Sequence, residues 1–105
     1  MRTHIAVLAL VTSVISAQAD EAQLKRGQTL LSQYCARCHA VGRTGDSARA
    51  DAPAFRKLGT RYPIDSLEEA LGEGIMSGHP DMPELAFEAP DVGAIIAYLK
   101  SIQAP

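Results

Sequence analysis

Apolar positions follow a helical spacing near both ends of the chain and lose it in the middle. The spacing predicts a helix over 21–35, and Glu21 near its start suits the helix dipole. A second helix is predicted to begin at Pro90, which fits a first helical turn together with Asp91. One apolar stripe runs along this helix and consists of Val92, Ile95, Ile96, Leu99 and Ile102.

The middle of the chain is predicted to contain long loops and short helical segments. Residues 40–52 are rich in Gly, Ser, Asp and Arg, which is typical of an exposed loop. Residues 78–90 include three prolines and should be irregular, because proline supplies no amide hydrogen and restricts the residue before it. Between these loops, Pro53 predicts the start of a short helix that ends at Gly59.

A further short helix is predicted by Ser66-Leu67-Glu68-Glu69, which fits a capping box. In that motif the Ser hydroxyl and the Glu carboxylate each accept a hydrogen bond from a free backbone amide, and the helix should stop near Gly72–Gly74. No segment shows the sustained alternation of a strand, and no internal repeat is visible. The pattern therefore predicts an all-α domain of three to five helices with long loops.

Residues 1–19 have the three-part layout of a secretory signal. Arg2 supplies a positive charge, residues 5–15 are mostly apolar, and Ala17 and Ala19 place small side chains where a signal peptidase requires them. An apolar stretch of eleven residues is short of the roughly 20 needed to span a bilayer. We therefore expect cleavage after Ala19 and a mature periplasmic domain of residues 20–105 without a membrane span.

Composition and charge narrow the functions open to this domain. The 105-residue chain has 12 acidic and 10 basic residues and no long run of like charges, which argues against nucleic-acid binding. Eight Lys or Arg against four acids give residues 20–61 a formal charge of +4, and eight acids against Lys100 give residues 62–105 a charge of −7. Such a dipole can orient a charged partner. A domain this small usually needs a disulfide, a metal or a cofactor to stabilise it.

Both cysteines lie in the motif Cys35-Ala36-Arg37-Cys38-His39. Cysteines at this spacing on the end of a helix present their sulfurs on one side, where each can add to a vinyl group of a haem. The adjacent His39 can then bind the iron. The motif therefore predicts one covalently attached haem c, which would also complete a core that the small chain lacks.

Three other uses of the cysteines compete with haem attachment. A disulfide oxidoreductase also uses C-x-x-C, but normally beside β-strands. A structural zinc site would have to use Cys35, Cys38, His39 and His79, a set without the usual paired spacing. A disulfide between Cys35 and Cys38 would close too small a loop to stabilise the domain much. Haem attachment is favoured over all three.

The second iron ligand is expected far along the chain from His39. Met82 is the preferred candidate, because prolines flank it in His79-Pro80-Asp81-Met82-Pro83 and stiffen the loop that carries its thioether. Met76 and His79 are the rivals. Met76 is expected to be a packing residue that fills an irregular gap, and His79 would produce a site with two histidine ligands and a lower reduction potential. His39 and Met82 are therefore the predicted metal ligands.

Taken together, these features resemble the class I c-type cytochromes over essentially the whole mature length. The resemblance rests on the N-terminal helix that runs into the haem motif, the Met-Pro loop, and the C-terminal segment Ile95-Ile96-Ala97-Tyr98-Leu99-Lys100. Residues 73–84 also resemble those of small bacterial periplasmic members. The resemblance implies the cytochrome c fold, with helices packed around one attached haem.

The resemblance also implies roles for residues outside the motif. Gly27 matches a family glycine that packs the first helix against an aromatic residue of the last, here Tyr98. Pro53 is the best candidate for a family proline whose carbonyl accepts the imidazole N–H of the histidine ligand. Arg61 and Tyr62 are candidates to bind the haem propionates.

The expected function is that of a one-electron carrier rather than an enzyme, since electron transfer needs no bond-making residue. Its partners would be transient redox proteins such as a dehydrogenase, an oxidase or a reductase, docked to a monomer through a small surface. A dedicated subunit of one dehydrogenase is a related possibility. The alternative from another class is a haem-based peroxidase or gas-binding protein, which must keep one iron position open; a bound Met82 would close it.

Overall fold

The structure is a computed structural model that describes residues 2–76 and 78–105, with side chains described for 15–18, 20–76 and 78–105. It contains three α-helices, α1 (Arg2–Tyr34), α2 (Glu68–Glu73) and α3 (Ala89–Ile102). Two 3₁₀ helices, Phe55–Thr60 and Ile64–Leu67, lie between α1 and α2. The described part of the chain contains no β-strand, and the prediction of an all-α fold is confirmed.

Helix α1 starts much earlier than the predicted helix over 21–35. No glycine or proline interrupts residues 2–20, so nothing in that stretch ends the helix. The predicted cleavage point after Ala19 falls within α1, and the division into residues 1–19 and 20–105 stays a prediction. Among the residues that the structure describes, no helix combines the length and apolarity needed to cross a membrane.

The core lies where the C-terminal part of α1 crosses α3. The apolar stripe predicted for α3 is buried throughout, and Ile95 at its centre is fully buried. Leu30 and Leu31 of α1 pack against this stripe, and Phe55 and Leu58 from the first 3₁₀ helix extend the same cluster. Pro90 lies in the first turn of α3, as predicted. Periodicity alone therefore located the main packing surface of the domain.

Gly27 sets how closely α1 and α3 approach each other. A Cβ atom at this position would lie 2.7 Å from Cβ of Tyr98 and closer still to the carbonyl oxygen of Ala94. Both distances are shorter than any ordinary contact, so no larger residue fits without moving a helix. The packing of Gly27 on Tyr98 that the resemblance implied is confirmed. The preceding residue, Arg26, forms an ion pair with Asp91 that also joins the two helices.

Two of the predicted short helices differ from the structure. The helix expected from Pro53 to Gly59 is a 3₁₀ helix, Phe55–Thr60. The capping box at Ser66 is wrong, because Ser66 lies within the 3₁₀ helix Ile64–Leu67 and donates its amide hydrogen to the carbonyl of Pro63. Pro63 starts the helical run early, so α2 begins after Leu67 without a side-chain cap.

The ends of the long loops agree better with the predictions. Helix α2 ends at Gly74, whose φ of 120° favours glycine, and the predicted end near Gly72–Gly74 is confirmed. Residues 40–52 contain no regular element, and neither do the described residues of 78–88. The first loop follows directly after His39, and the second contains Met82.

Candidate functional site

The cysteine motif forms a compact turn at the C-terminal end of α1. The amide of Cys35 donates to the carbonyl of Leu31 at 2.8 Å, which continues the helical hydrogen bonding beyond Tyr34. The carbonyl of Cys35 accepts the amides of Cys38 at 3.2 Å and His39 at 3.0 Å. Both cysteines are half-buried and form no disulfide in the described structure. Cys35, Cys38 and His39 are therefore held within a single turn.

The environment of Cys35 argues against thiol–disulfide chemistry. Burial raises the pKa of its thiol to about 11. A thiol that attacks disulfides is normally activated by a lowered pKa, since the thiolate is the nucleophile. Cys35 lies against the apolar core instead. The protonated, half-buried thiol fits a covalent attachment point better than a redox-active nucleophile.

His39 is oriented by one hydrogen bond and one ring contact. Its Nδ1 donates to the carbonyl oxygen of Pro53 at 2.8 Å, which confirms the predicted role of Pro53. A carbonyl can only accept, so the proton lies on Nδ1 and the lone pair on Nε2. The imidazole stacks on the ring of Phe55, with centroids 4.7 Å apart and planes inclined by 28°. Within the described residues, no group hydrogen-bonds Nε2, which is therefore available to a metal.

The segment after His39 is fastened to the core at several points. The amide of Ala40 donates to the hydroxyl of Ser47 at 2.9 Å, and its carbonyl accepts the amide of Phe55 at 2.9 Å. The Tyr98 hydroxyl donates to the carbonyl of Val41 at 2.7 Å. Tyr98, which packs on Gly27, thus also positions the chain two residues beyond His39. This hydrogen bond was not predicted from the sequence.

The loop after α2 carries the three candidates for the second ligand, and two of them are unsuited to it in this structure. Met76 has 82% of its surface exposed, so the expectation that it fills a gap in the core is wrong. The neighbouring Ile75, in contrast, packs against the core. Met82 is half-buried, and its amide donates to the carbonyl of His79 at 3.2 Å.

His79 is engaged in a different interaction. Its Nδ1 accepts the amide hydrogen of Asp81 at 3.3 Å, and its Nε2 lies 2.8 Å from a carboxylate oxygen of Asp51. Both ring nitrogens thus have protein partners, so His79 does not compete as an iron ligand in this arrangement. The zinc set of Cys35, Cys38, His39 and His79 is not assembled either. In the described part of the chain, no three His, Cys, Asp or Glu residues are grouped to hold a metal ion.

The sequence reasoning missed Arg49, which connects the two loops. Its guanidinium binds Asp51 at 2.7 Å and Asp81 at 2.9 Å. These contacts hold the pKa of the Asp51 carboxyl below its usual value, chiefly through the hydrogen bond from Arg49. A charged residue in a polar loop has no periodic signal that would single it out. Arg61 and Tyr62, the candidates for propionate binding, lie exposed at the end of the first 3₁₀ helix.

These residues fit a c-type haem. The two thiols lie within one turn, the imidazole exposes Nε2 while Pro53 fixes its other nitrogen, and the thioether of Met82 is partly sheltered. The core beside them is apolar. A disulfide exchanger has no need of this orientation of His39, and in the described residues the four ligands of a zinc site are not grouped together.

Comparisons with known proteins show which family the chain resembles. Residues 22–99 match the family model described as "Cytochrome C oxidase, cbb3-type, subunit III". Cytochrome c-552 of Bradyrhizobium diazoefficiens is 30% identical over 105 residues, which cover 98% of this chain and 99% of that protein. Cytochrome c oxidase subunit 2 of Alkalihalophilus pseudofirmus is 37% identical over 91 residues, which cover 72% of this chain but 24% of that protein. No solved structure matches the chain.

The family match spans the haem motif, both loops and nearly all of α3. The match to cytochrome c-552 extends over almost the full length of both proteins. The all-α fold is consistent with this family. The chain therefore belongs to the cytochrome c family, as a small c-type cytochrome that transfers electrons by means of haem.

Proposed function

We propose that this protein is a one-electron carrier with a single haem c attached through Cys35 and Cys38, and with iron bound by Nε2 of His39 and Sδ of Met82. The observation that carries the proposal is the hydrogen bond from Nδ1 of His39 to Pro53 at 2.8 Å. It fixes the tautomer that an iron ligand requires and increases the donor strength of Nε2. The bound haem supplies a reversible change of one electron at the iron.

Several features support Met82 as the second ligand. Its side chain is half-buried, whereas Met76 is exposed and both nitrogens of His79 have protein partners. A thioether is a soft, neutral donor that favours ferrous iron and raises the reduction potential. With His39 and Met82 both bound, the iron has no open position for peroxide or a gas. This ligation supports electron transfer over the peroxidase alternative.

The proposed partners are redox proteins that dock briefly. The description of the matched family model and the name of one matched protein both contain cytochrome c oxidase, which supports an oxidase as one partner class. The uneven charge of the sequence, positive in residues 20–61 and negative in 62–105, suits a partner oriented by its own charge. We propose that the carrier works as a monomer in the periplasm after removal of residues 1–19.

The first test is to express the full precursor in a bacterium that attaches haem in its periplasm. The denatured product should have the mass of residues 20–105 plus one haem. Its spectrum should be low-spin, with a charge-transfer band from the thioether to ferric iron. A product without haem would reject the attachment, and an attached but high-spin haem would favour ligand binding or catalysis over electron transfer.

The second test replaces the methionines in turn. Met82→Ala should keep the covalent haem, lose the charge-transfer band and bind CO in the ferrous state, because one iron position opens. Met76→Ala is the matched control, since that side chain is exposed, and it should behave as the wild type. An unchanged six-coordinate spectrum in Met82→Ala would reject Met82 as the ligand.

A further inference from the structure

Four charged or titratable side chains join the loop after His39 to the loop that contains Met82; we call them the clasp: Arg49, Asp51, His79 and Asp81. Arg49 bridges the loops, with Nε 2.7 Å from Asp51 and Nη1 2.9 Å from Asp81. His79 makes a second connection, because its Nε2 lies 2.8 Å from the other carboxylate oxygen of Asp51. Nη2 of Arg49 also lies 3.3 Å from Nε2 of His79, so these adjacent contacts together connect the two loops.

The backbone connects the clasp to both segments that carry the proposed ligands. The amide of Arg49 donates to the carbonyl of Cys38 at 3.1 Å, so Arg49 is attached to the turn that carries the haem motif. Asp81 immediately precedes Met82. A movement of the Met82 loop away from the motif would therefore have to break the contacts between Arg49 and Asp81 and between Asp51 and His79.

The far end of the Met82 loop is held in another way. The amide of Ile75 donates to the carbonyl of Leu85 at 3.0 Å, and the amide of Phe87 donates to the carbonyl of Leu71 at 2.8 Å. These bonds close the base of the loop against α2, but they lie several residues from Met82. The clasp acts on residues 79–81, next to the ligand itself.

We propose that Arg49 is a positioning residue, which holds the Met82 loop against the haem-attachment turn and so determines how readily Met82 leaves the iron. This inference rests on the proposed ligation by His39 and Met82. A guanidinium can bind two carboxylates through separate nitrogens, which the compact ammonium of lysine does less well. Because the contacts are exposed, with 38% of the Arg49 side chain accessible, salt should weaken them.

The test is an imidazole titration of the ferric holoprotein, followed by the loss of the thioether-to-iron charge-transfer band. Imidazole can bind only when Met82 has left the iron, so its affinity reports how often the loop opens. Arg49→Gln should bind imidazole about three to ten times more tightly than the wild type. Arg49→Lys should fall between the two, because it keeps the charge but not the fork of donors.

Arg26→Gln is the matched control. Arg26 also forms an exposed ion pair with two contacts, at 3.1 and 3.2 Å to Asp91, but this pair joins α1 to α3. Its removal affects the global fold without touching the Met82 loop, so imidazole affinity should stay at the wild-type value. Urea unfolding of both variants shows whether a change in imidazole affinity comes from opening of the Met82 loop or from a loss of stability of the whole fold.

Two further readouts separate the clasp from a general loss of stability. Sodium chloride should tighten imidazole binding to the wild type, and this salt dependence should largely disappear in Arg49→Gln. The double variant Arg49→Gln with Asp81→Asn should bind imidazole about as tightly as the single Arg49→Gln variant, since both changes remove the same pair.

The outcomes separate this proposal from the one on which it rests. If Arg49→Gln binds imidazole no more tightly than Arg26→Gln, the clasp is overturned while ligation by Met82 stands. If the wild type lacks the charge-transfer band, or Met82→Ala keeps a six-coordinate spectrum, the ligand assignment fails and the clasp proposal fails with it. The proposal is supported if Arg49→Gln binds imidazole more tightly than the wild type, Arg26→Gln does not, and the difference between Arg49→Gln and the wild type shrinks as salt rises.

Discussion

The segment that carries His39 and the loop that carries Met82 differ in what fixes them to the fold. His39 lies one turn beyond α1, stacked on the buried Phe55 and hydrogen-bonded to Pro53. Met82 lies in an irregular loop that is connected near the ligand by exposed ion pairs. Buried packing and hydrogen bonds persist in salt, whereas exposed ion pairs contribute little each and are screened.

This difference predicts that His39 stays bound to the iron, whereas Met82 can leave it. Regions with few buried contacts and exposed polar bonds open at lower free-energy cost than the core. We call the segment that carries His39 the His39 side and the loop that carries Met82 the Met82 side. We therefore expect the Met82 side to open first, while the His39 side and the attachment turn stay folded. On the His39 side, the expected effects fall in the order His39→Ala, Gly27→Ala and Tyr98→Phe.

The largest effect is expected from His39→Ala. Loss of the imidazole removes the proposed iron ligand on the firmly held side. Because haem binding is coupled to folding, the yield of folded holoprotein should fall by about tenfold or more. Haem content of the purified protein and its circular dichroism measure the loss. His79→Ala is the control and should retain its covalent haem, because Nδ1 and Nε2 of His79 contact Asp81 and Asp51. Equal losses in both variants would contradict the comparison.

Gly27→Ala should have the next largest effect, through the helix crossing beneath the His39 side. The added methyl would meet Cβ of Tyr98 at 2.7 Å and the backbone of Ala94, so α1 and α3 must move apart. Overpacking of this kind costs about 1–3 kcal/mol in the free energy of unfolding. Urea denaturation of the holoprotein measures the change.

Gly93→Ala is the matched control for this crossing. Gly93 is exposed on α3, and a Cβ there would approach Nε2 of Gln23 no closer than 3.7 Å, an ordinary contact. Replacing a helical glycine by alanine should stabilise the protein by about 0.5–1 kcal/mol. Opposite signs for the two substitutions support a close crossing at Gly27, and equal effects would contradict it.

The His39 side was also the part that the sequence predicted best, for physical reasons. Its main features are local patterns that follow known rules for helices and haem attachment: the apolar stripe on α3, the start of α3 near Pro90, and the cysteine motif. The capping box failed because a local motif was overridden by its neighbour, Pro63, which began the helical run earlier. Even there, the glycine at position 74 marked the end of α2 correctly.

The Met82 side was much less predictable. Proline spacing singled out Met82, but the clasp joins residues such as Asp51 and His79 that are 28 positions apart in two irregular loops. Neither loop has a periodicity that would show which side chains face each other. The exposure of Met76 escaped prediction for the same reason, even though its neighbour Ile75 packs against the core. Contacts between loops are set by the assembled fold.

Tyr98→Phe should have the smallest of the three effects, because it removes one hydrogen bond and keeps the ring on Gly27. The hydroxyl donates to the Val41 carbonyl at 2.7 Å, and losing it should lower the free energy of unfolding by about 0.5–1.5 kcal/mol in urea denaturation. Tyr34→Phe is the control, since Tyr34 is 46% exposed and its edge-on contact with Phe87 needs only the ring. It should change stability by less than about 0.5 kcal/mol.

The pH dependence of the same pair tests whether the Tyr98 hydroxyl acts through burial. Burial raises the pKa of Tyr98 in the folded protein, whereas an unfolded tyrosine ionises near pH 10, at about its ordinary value. As pH rises above that value, the unfolded chain releases the proton first, so the wild type loses stability. Tyr98→Phe lacks this group, so its deficit relative to the wild type should shrink at alkaline pH. A constant deficit across that range would contradict a buried hydroxyl at the Val41 carbonyl and would weaken the contrast with the exposed Met82 side.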